Sequence, residues 1–341
     1  ELIMTINLKN YQDTTMHNSI FICQTYYHLL IAVLLNIKDE KKNDLIIFGE
    51  INDRVIKDKQ TTDKLIKSNI FNKIEIIDCS DLKKQKTHKR VLTTISRIKR
   101  DSTIKRISNY NEIYIFNDLS SIGKVINRKN VKYNLIEDGR SCFNEKHYKK
   151  IISQQGLLKR IIKKILFGYS FMGESKNIKK IFVNDLEDTY FNQNIEECNL
   201  DNLIEGLGEE EKLKVVGIFL DNEIKEYISN SVIVLTQPFF MDGILKSEQD
   251  QLQLYKDIID SEKYSTPFLK LHPRDTLNYE KIISKEKIIQ GDFPIEIINL
   301  IPDLRIKKVI SVSSTATKSI GNCEENIVLG WDYLEKYKNH E

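Results

Sequence analysis

Short runs of β-branched and aromatic residues alternate with amphipathic stretches along most of this chain, and no other feature of the sequence limits its fold as strongly. In the first half the runs are Ser19–Cys23, Leu45–Phe48, Lys73–Ile77, Glu112–Phe116 and Lys132–Ile136, with helical patterning between them. Strand, helix, strand repetition predicts a parallel sheet wrapped by helices, because a parallel pair needs a crossover long enough to hold one. A second block repeats the pattern with Lys214–Phe219, Ser231–Leu235, Pro267–Leu271, Lys287–Ile289, Lys308–Val312 and Asn326–Leu329. At 341 residues the chain has room for two such α/β units. The expected division is a Rossmann-like domain over 18–145, a basic amphipathic helix with its connecting region over 146–212, and a second Rossmann-like domain over 213–341.

Composition removes several classes. A net charge of +3, from 52 Lys and Arg against 49 Asp and Glu, is too balanced for a chain that coats nucleic acid. Cys23, Cys79, Cys142, Cys198 and Cys323 are scattered, odd in number and without metal-ligand spacing, which reads as reduced thiols in a cytosolic protein. No run reaches the ~18–20 apolar residues that span a bilayer, and the polar stretch Asn7 to Asn18 has no signal-peptide pattern. A cytoplasmic location is expected. Leu157, Leu158, Ile161, Ile162, Ile165 and Leu166 recur at helical spacing among Lys159, Arg160, Lys163 and Lys164. Such a helix either packs on a core as an ordinary surface helix or lies on an anionic membrane surface.

Parallel sheets bind ligands at the carboxyl ends of their strands, so polar residues there are the candidates for chemistry. Lys270-Leu271-His272-Pro273-Arg274 closes one apolar run. A His in that place can donate a hydrogen bond or a proton to a leaving phosphate. A lone His would more often be a cap or a core residue, but Lys270 and Arg274 beside it suggest an anion. Ser311, Ser313, Ser314, Thr315 and Thr317 follow another run, where hydroxyls and free amides at a helix start suit either a phosphate or a simple N-cap. Phe293-Pro294-Ile295-Glu296 opens a further helix, and Glu296 is placed to accept hydrogen bonds from a ribose. Asp138, in Glu137-Asp138-Gly139, and Asp242, before Gly243, compete for general base, although Asp-Gly pairs are commonly turns. Gln24-Thr25, after the first run, completes the set. The sequence contains no GxGxxG after the first strand, no Walker motif, no HExxH and no GxSxG. It also lacks a convincing DxD metal-binding pair.

Taken together and in order, these pieces resemble the bacterial sialyltransferases of glycosyltransferase family 52, the lipooligosaccharide and capsule sialyltransferase family. Phe21 to Ala32 is similar to the family's first strand and helix, with His28 where many members carry Gln. Glu137-Asp138-Gly139 resembles the acidic-acidic-Gly motif of bacterial sialyltransferases, Lys270-Leu271-His272-Pro273 their His-Pro motif, and Ser313-Ser314 their paired hydroxyls. The resemblance spans roughly residues 18 to 335.

What the resemblance implies is an α/β fold of the GT-B type, two Rossmann-like domains facing a cleft, with acceptor bound by the first and CMP donor by the second. It implies an inverting, metal-independent transfer of sialic acid from CMP-sialic acid to a galactose-terminated glycan, with no cofactor beyond that co-substrate. His272 would be the acid, Ser313, Ser314 and Thr315 would hold the phosphate with Lys270, Pro273 and Arg274, and Glu296 would hold the ribose beside Phe293 and Pro294. Gln24, Thr25, His28, Glu137 and Gly139 would line the acceptor side. The base is Asp242 by the family's pattern or Asp138 by that of related sialyltransferases, with Asp242 preferred. A homodimer is implied as well, with Lys83–Arg106 the natural connector for an exchange between subunits. A lipid-borne acceptor would bring the enzyme to the inner face of the bacterial membrane through the basic helix. The competing readings are a UDP-sugar transferase or epimerase of the same fold, and a non-catalytic scaffold of glycan assembly on the membrane surface.

Overall fold

The computed structural model describes residues 3–7, 19–50, 54–81, 89, 93, 96, 103–139, 142–220, 224–262, 265, 267–289 and 293–338. They form two compact units, Glu1–Leu207 and Gly208–Glu341.

The first unit is built on strands β1 (Ile3–Asn7), β2 (Ser19–Cys23), β3 (Asp44–Gly49), β4 (Lys73–Asp78), β5 (Glu112–Ile115), β6 (Tyr133–Ile136), β7 (Ile178–Val183) and β8 (Ile195–Glu197). Their order in the sheet is β1-β4-β3-β2-β5-β6-β7-β8, and every pairing is parallel except that of β1 with β4. The central strands are covered on both faces, so β3 is buried along its whole length and β2 from Ile20 onward. This is why they read as continuous apolar runs rather than alternating ones. The longer helices of the unit are α1 (Tyr26–Asn36), α2 (Lys59–Lys67), α3 (Ser121–Arg128), α4 (Glu145–Gln154), α5 (Leu157–Phe167) and α6 (Leu200–Glu205). Thr25, Asp58, Ser120, Asn144 and Asn199 cap five of them, each side chain accepting from a backbone amide of the first turn.

The second unit holds α7 (Glu209–Phe219), β9 (Val232–Leu235), α8 (Glu248–Ser261), β10 (Pro267–Lys270), β11 (Ile288–Ile289), β12 (Ile306–Ser311) and β13 (Cys323–Val328). The sheet is parallel throughout, in the order β11-β10-β9-β12-β13. Every residue of the central strand β9 is buried. The inner face of α8 packs Leu252, Tyr255, Ile258 and Ile259 into the same core. Ser247 and Asp250 cap that helix reciprocally.

The alternating pattern located these sheets, with two exceptions. Lys214–Phe219, read as a strand, is the second half of α7. Its buried residues Val215, Val216, Ile218 and Phe219 follow helical rather than alternating spacing, and the acidic first turn begins at Glu209. In the other direction, β1, β7 and β8 were not anticipated. Lys179 and Lys180 interrupt the apolar run of β7, because that strand buries only Ile181 and Val183 deeply. Most of the Lys83–Arg106 connector lies outside the described residues. Among the described residues no helix is long and apolar enough to cross a membrane.

Candidate active site

In the second unit the connections diverge. Strands β10 and β11 lie on one side of β9, and β12 and β13 on the other. The connections that follow β9 and β12 therefore lead to opposite sides, and parallel α/β sheets bind ligands in the crevice at the carboxyl ends of the strands at such a point. The register brings Lys270 of β10 and Ser311 of β12 level with Leu235 of β9, so the residues that follow each strand converge.

His272 is fixed there by its backbone and by its ring. Its amide donates to Thr236 Oγ1 at 2.9 Å, and the Arg274 amide donates to its Nδ1 at 3.0 Å. Nδ1 is thus the acceptor, which leaves Nε2 as the proton-bearing nitrogen of the neutral ring. Ser313 is tied across the crevice to Gln237. The Ser313 amide donates to Gln237 Oε1 at 2.8 Å, and Gln237 Nε2 donates to Ser313 Oγ at 3.0 Å. Ser314 caps the short 3-10 turn Thr315–Ser319, accepting from the Ala316 amide at 3.2 Å. Lys270 is 4% exposed and places its ammonium 4.2 Å from the centre of the Phe293 ring, a cation–π contact. Pro294 precedes the 3-10 turn Ile295–Leu300, in whose first turn Glu296 is buried.

Beneath these groups Asp275 is buried and accepts from Gln251 Nε2 at 3.0 Å and from the Tyr279 hydroxyl at 2.7 Å. Burial raises its carboxyl above the ordinary aspartate value. Asp242 is exposed and paired with Arg274. Both guanidinium nitrogens reach it, at 2.7 and 3.0 Å, in a bidentate fork.

The first unit has the same topological break between β2, whose successors β3 and β4 lie to one side, and β5, followed by β6 to β8 on the other. Asp138 follows β6, the strand beyond β5, and its side chain meets residues that follow β2 and β5. His28 Nε2 is in short contact with Asp138 Oδ1, and Asn117 Nδ2 donates to Oδ2 at 2.9 Å. The His28 ring is held in turn. Its Nδ1 accepts from the Gln24 amide at 3.1 Å, and it stacks on Phe116 with ring centres 4.3 Å apart. The Asn117 amide is oriented by the Leu119 N–H, which donates to its Oδ1 at 3.0 Å. Asp138 is therefore a carboxylate held by two neutral donors and still 28% exposed.

Next to Asn117 lies Asp118, which is fully buried. Its Oδ2 accepts from the Tyr133 hydroxyl at 3.0 Å and from the Gly173 amide at 3.2 Å. Its Oδ1 has no partner among the described residues, and burial pushes its pKa up to about 7.

The structure gathers the anticipated residues into two sets. Thr25 caps α1, and the Gln24 amide orients His28. Glu137 is buried, and its oxygens accept from the Phe143 and Asn184 amides at 2.9 and 2.7 Å. That position anchors loops and keeps the carboxylate away from solvent, while Gly139 sits in open space. Three residues with a place in these sets were not anticipated: Gln237, Thr236 and Asn117. Gln237-Pro238 carried the same signal as His272-Pro273, a polar residue held extended by the following Pro just after a buried strand.

Comparison with known proteins gives a consistent picture. The model of glycosyltransferase family 52 matches residues 58–329. An uncharacterized protein of Haemophilus influenzae is 27% identical over 296 residues, covering 85% of this chain and 87% of its own length. Among solved structures, the chain is similar to the α/β-galactoside α-2,3-sialyltransferase from the luminous marine bacterium Photobacterium phosphoreum. The TM-score is 0.53 and the identity 13%, with 91% of this chain and 89% of that one covered. The GT-B domain of a sialyltransferase from Photobacterium damselae aligns at 14% identity with a TM-score of 0.47, over 91% of this chain and 89% of that one. The similarity to the first of these structures is one of fold.

Proposed function

Because this chain belongs to glycosyltransferase family 52, we propose that it transfers sialic acid from CMP-sialic acid to a galactose-terminated glycan, with inversion and without a metal. The observation that carries this reading is the convergence of His272, Ser313 and Lys270 on the strand ends of the second unit. A ring nitrogen able to bear a proton, a hydroxyl and a cation together suit a leaving phosphate. Glu296 would accept from the ribose hydroxyls.

In the proposed reaction Asp138 takes the proton of the acceptor hydroxyl, the freed oxygen attacks the anomeric carbon, and the bond to the CMP phosphate breaks on the opposite face. Nε2 of His272 donates to the departing phosphate, and Ser313 and Ser314 hold it. We place the base at Asp138 rather than Asp242 because of what surrounds each. Both oxygens of Asp242 are engaged by the Arg274 fork, whereas the donors on Asp138 are neutral side chains. In this reading Asp242 positions Arg274 beside the donor.

A lipid-linked acceptor, as in lipooligosaccharide or capsule assembly, and a homodimer complete the proposal. A donor panel in EDTA tests it. Release of CMP from CMP-Neu5Ac, with UDP-sugars left intact, is the expected result. Turnover of a UDP-sugar in place of CMP-Neu5Ac would transfer the protein to the UDP-sugar transferases or epimerases of this fold, and no turnover of any donor would leave a scaffold.

A further inference from the structure

The carboxylate proposed as the base has a buried partner. The side chain of His28 is 1% exposed, against 28% for that of Asp138. Three contacts leave its imidazole one orientation. The His28 amide donates to the Thr25 hydroxyl oxygen at 3.2 Å, which fixes the residue in the first turn of α1. The ring lies on Phe116 with the two planes 8° apart and the centres 4.3 Å apart. The Gln24 amide then donates to Nδ1 at 3.1 Å. A backbone N–H can only donate, so the Nδ1 lone pair is occupied and the proton of the neutral ring sits on Nε2. That proton is aimed at Asp138, because Nε2 contacts Oδ1 and lies 3.2 Å from the Asp138 carbonyl oxygen.

We propose that His28 is a positioning residue of the transfer, a fixed neutral donor that aims the Asp138 carboxylate and takes no proton itself. The inference rests on Asp138 being the base. An aspartate carboxylate turns broadly about its last torsion, and a base that must meet one hydroxyl works best when held in one plane. His28 on Oδ1 and Asn117 on Oδ2, the latter at 2.9 Å, supply that hold. Each carboxylate oxygen accepts about two hydrogen bonds, so both keep room for the acceptor hydroxyl. Donation to the ionised carboxylate also stabilises it, and a buried donor does so more strongly than water. In the step itself the acceptor O–H bond breaks, its proton bonds to Asp138, and the freed oxygen attacks the anomeric carbon. His28 keeps its N–H throughout. With Nε2 protonated and Nδ1 occupied, the ring has no lone pair to receive a proton, so Asp138 returns its own to water through its exposed side. Being buried, His28 acts through the base and touches neither acceptor nor donor.

The test compares His28→Gln, which keeps a neutral N–H at similar reach, with His28→Leu, which fills the space without a donor. Both are made in wild type and in Asp138→Asn, and lactose-stimulated CMP release from CMP-Neu5Ac is measured. For His28→Leu, kcat should fall by about tenfold or more while KM for lactose and for CMP-Neu5Ac stays within about twofold of wild type, and His28→Gln should recover most of that loss. Because His28 acts through Asp138, adding His28→Leu to Asp138→Asn should cost less than about twofold further. The proposal is overturned if His28→Leu matches wild type while Asp138→Asn is inactive, if His28→Gln is no better than His28→Leu, or if the two losses simply multiply. An Asp138→Asn enzyme as fast as wild type instead defeats the reading on which the inference rests. Should His28→Leu fail to fold, NMR of wild type with isotope-labelled histidine decides: the signal missing from His28→Gln should be that of an Nε2–H tautomer, and an Nδ1–H tautomer overturns the proposal.

Discussion

The difference between Asp138 and its neighbour Asp118 lies in their surroundings. Asp138 is partly solvated and receives two side-chain donors. Asp118 is buried with one oxygen unsatisfied among the described residues, and its pKa rises to about 7. Since the folded value lies above the ordinary 3.8, the native state binds the proton more tightly than the unfolded chain does. The stability this group contributes is complete below about pH 4 and is lost as pH rises through 7, with a slope of at most about 1.4 kcal/mol per pH unit. Asp118→Asn keeps the acceptor for Tyr133 and Gly173 and cannot ionise. Urea denaturation at pH 5 and pH 7 should therefore show a smaller loss of stability for Asp118→Asn than for wild type. Equal losses in the two proteins would place the pH dependence elsewhere. The sequence signalled Asp138 but neither Asn117 nor Asp118, because Asn117-Asp118 looks like an ordinary polar turn until tertiary burial separates the two.

At the scale of elements, the parallel strands were the most legible part of the molecule. Strands covered on both faces must be apolar throughout, and β2, β3 and β9 read that way. The lysine-bearing β7 and the apolar half of α7 were not legible, because for short runs the burial pattern is set by neighbours the sequence does not display. The candidate site divided similarly. The His-Pro turn and the hydroxyl cluster stood out at the end of apolar runs, but the Gln237–Ser313 tie joins residues far apart in the chain and follows only from the strand order.

Gly123 in α3 shows the same dependence on tertiary contact. A Cβ there would sit 2.6 Å from the Asp118 backbone. Ala would gain about 1 kcal/mol in helix propensity, but the atoms it meets are backbone and cannot swing aside, and overpacking of this kind costs about 1–3 kcal/mol. Gly123→Ala should lower the urea midpoint and disturb Asn117, which shares that turn. A midpoint equal to or above wild type would show that the turn can move aside.

At the scale of the whole molecule, donor chemistry is proposed for the second unit and the base for the first, each beyond the carboxyl ends of the strands of its own parallel sheet. Family membership gives the class of reaction, glycosyl transfer, and the residue roles are proposed from the arrangement of side chains. The most direct test is the initial rate of lactose-stimulated CMP release from CMP-Neu5Ac for wild type, His272→Ala, Asp138→Asn and Asp242→Asn. A fall of about 10²-fold or more is expected for the first two variants, as for loss of an acid or a base, and a fall of less than about tenfold for Asp242→Asn. An Asp138→Asn enzyme as fast as wild type, beside an inactive Asp242→Asn, would contradict this and move the base to the second unit.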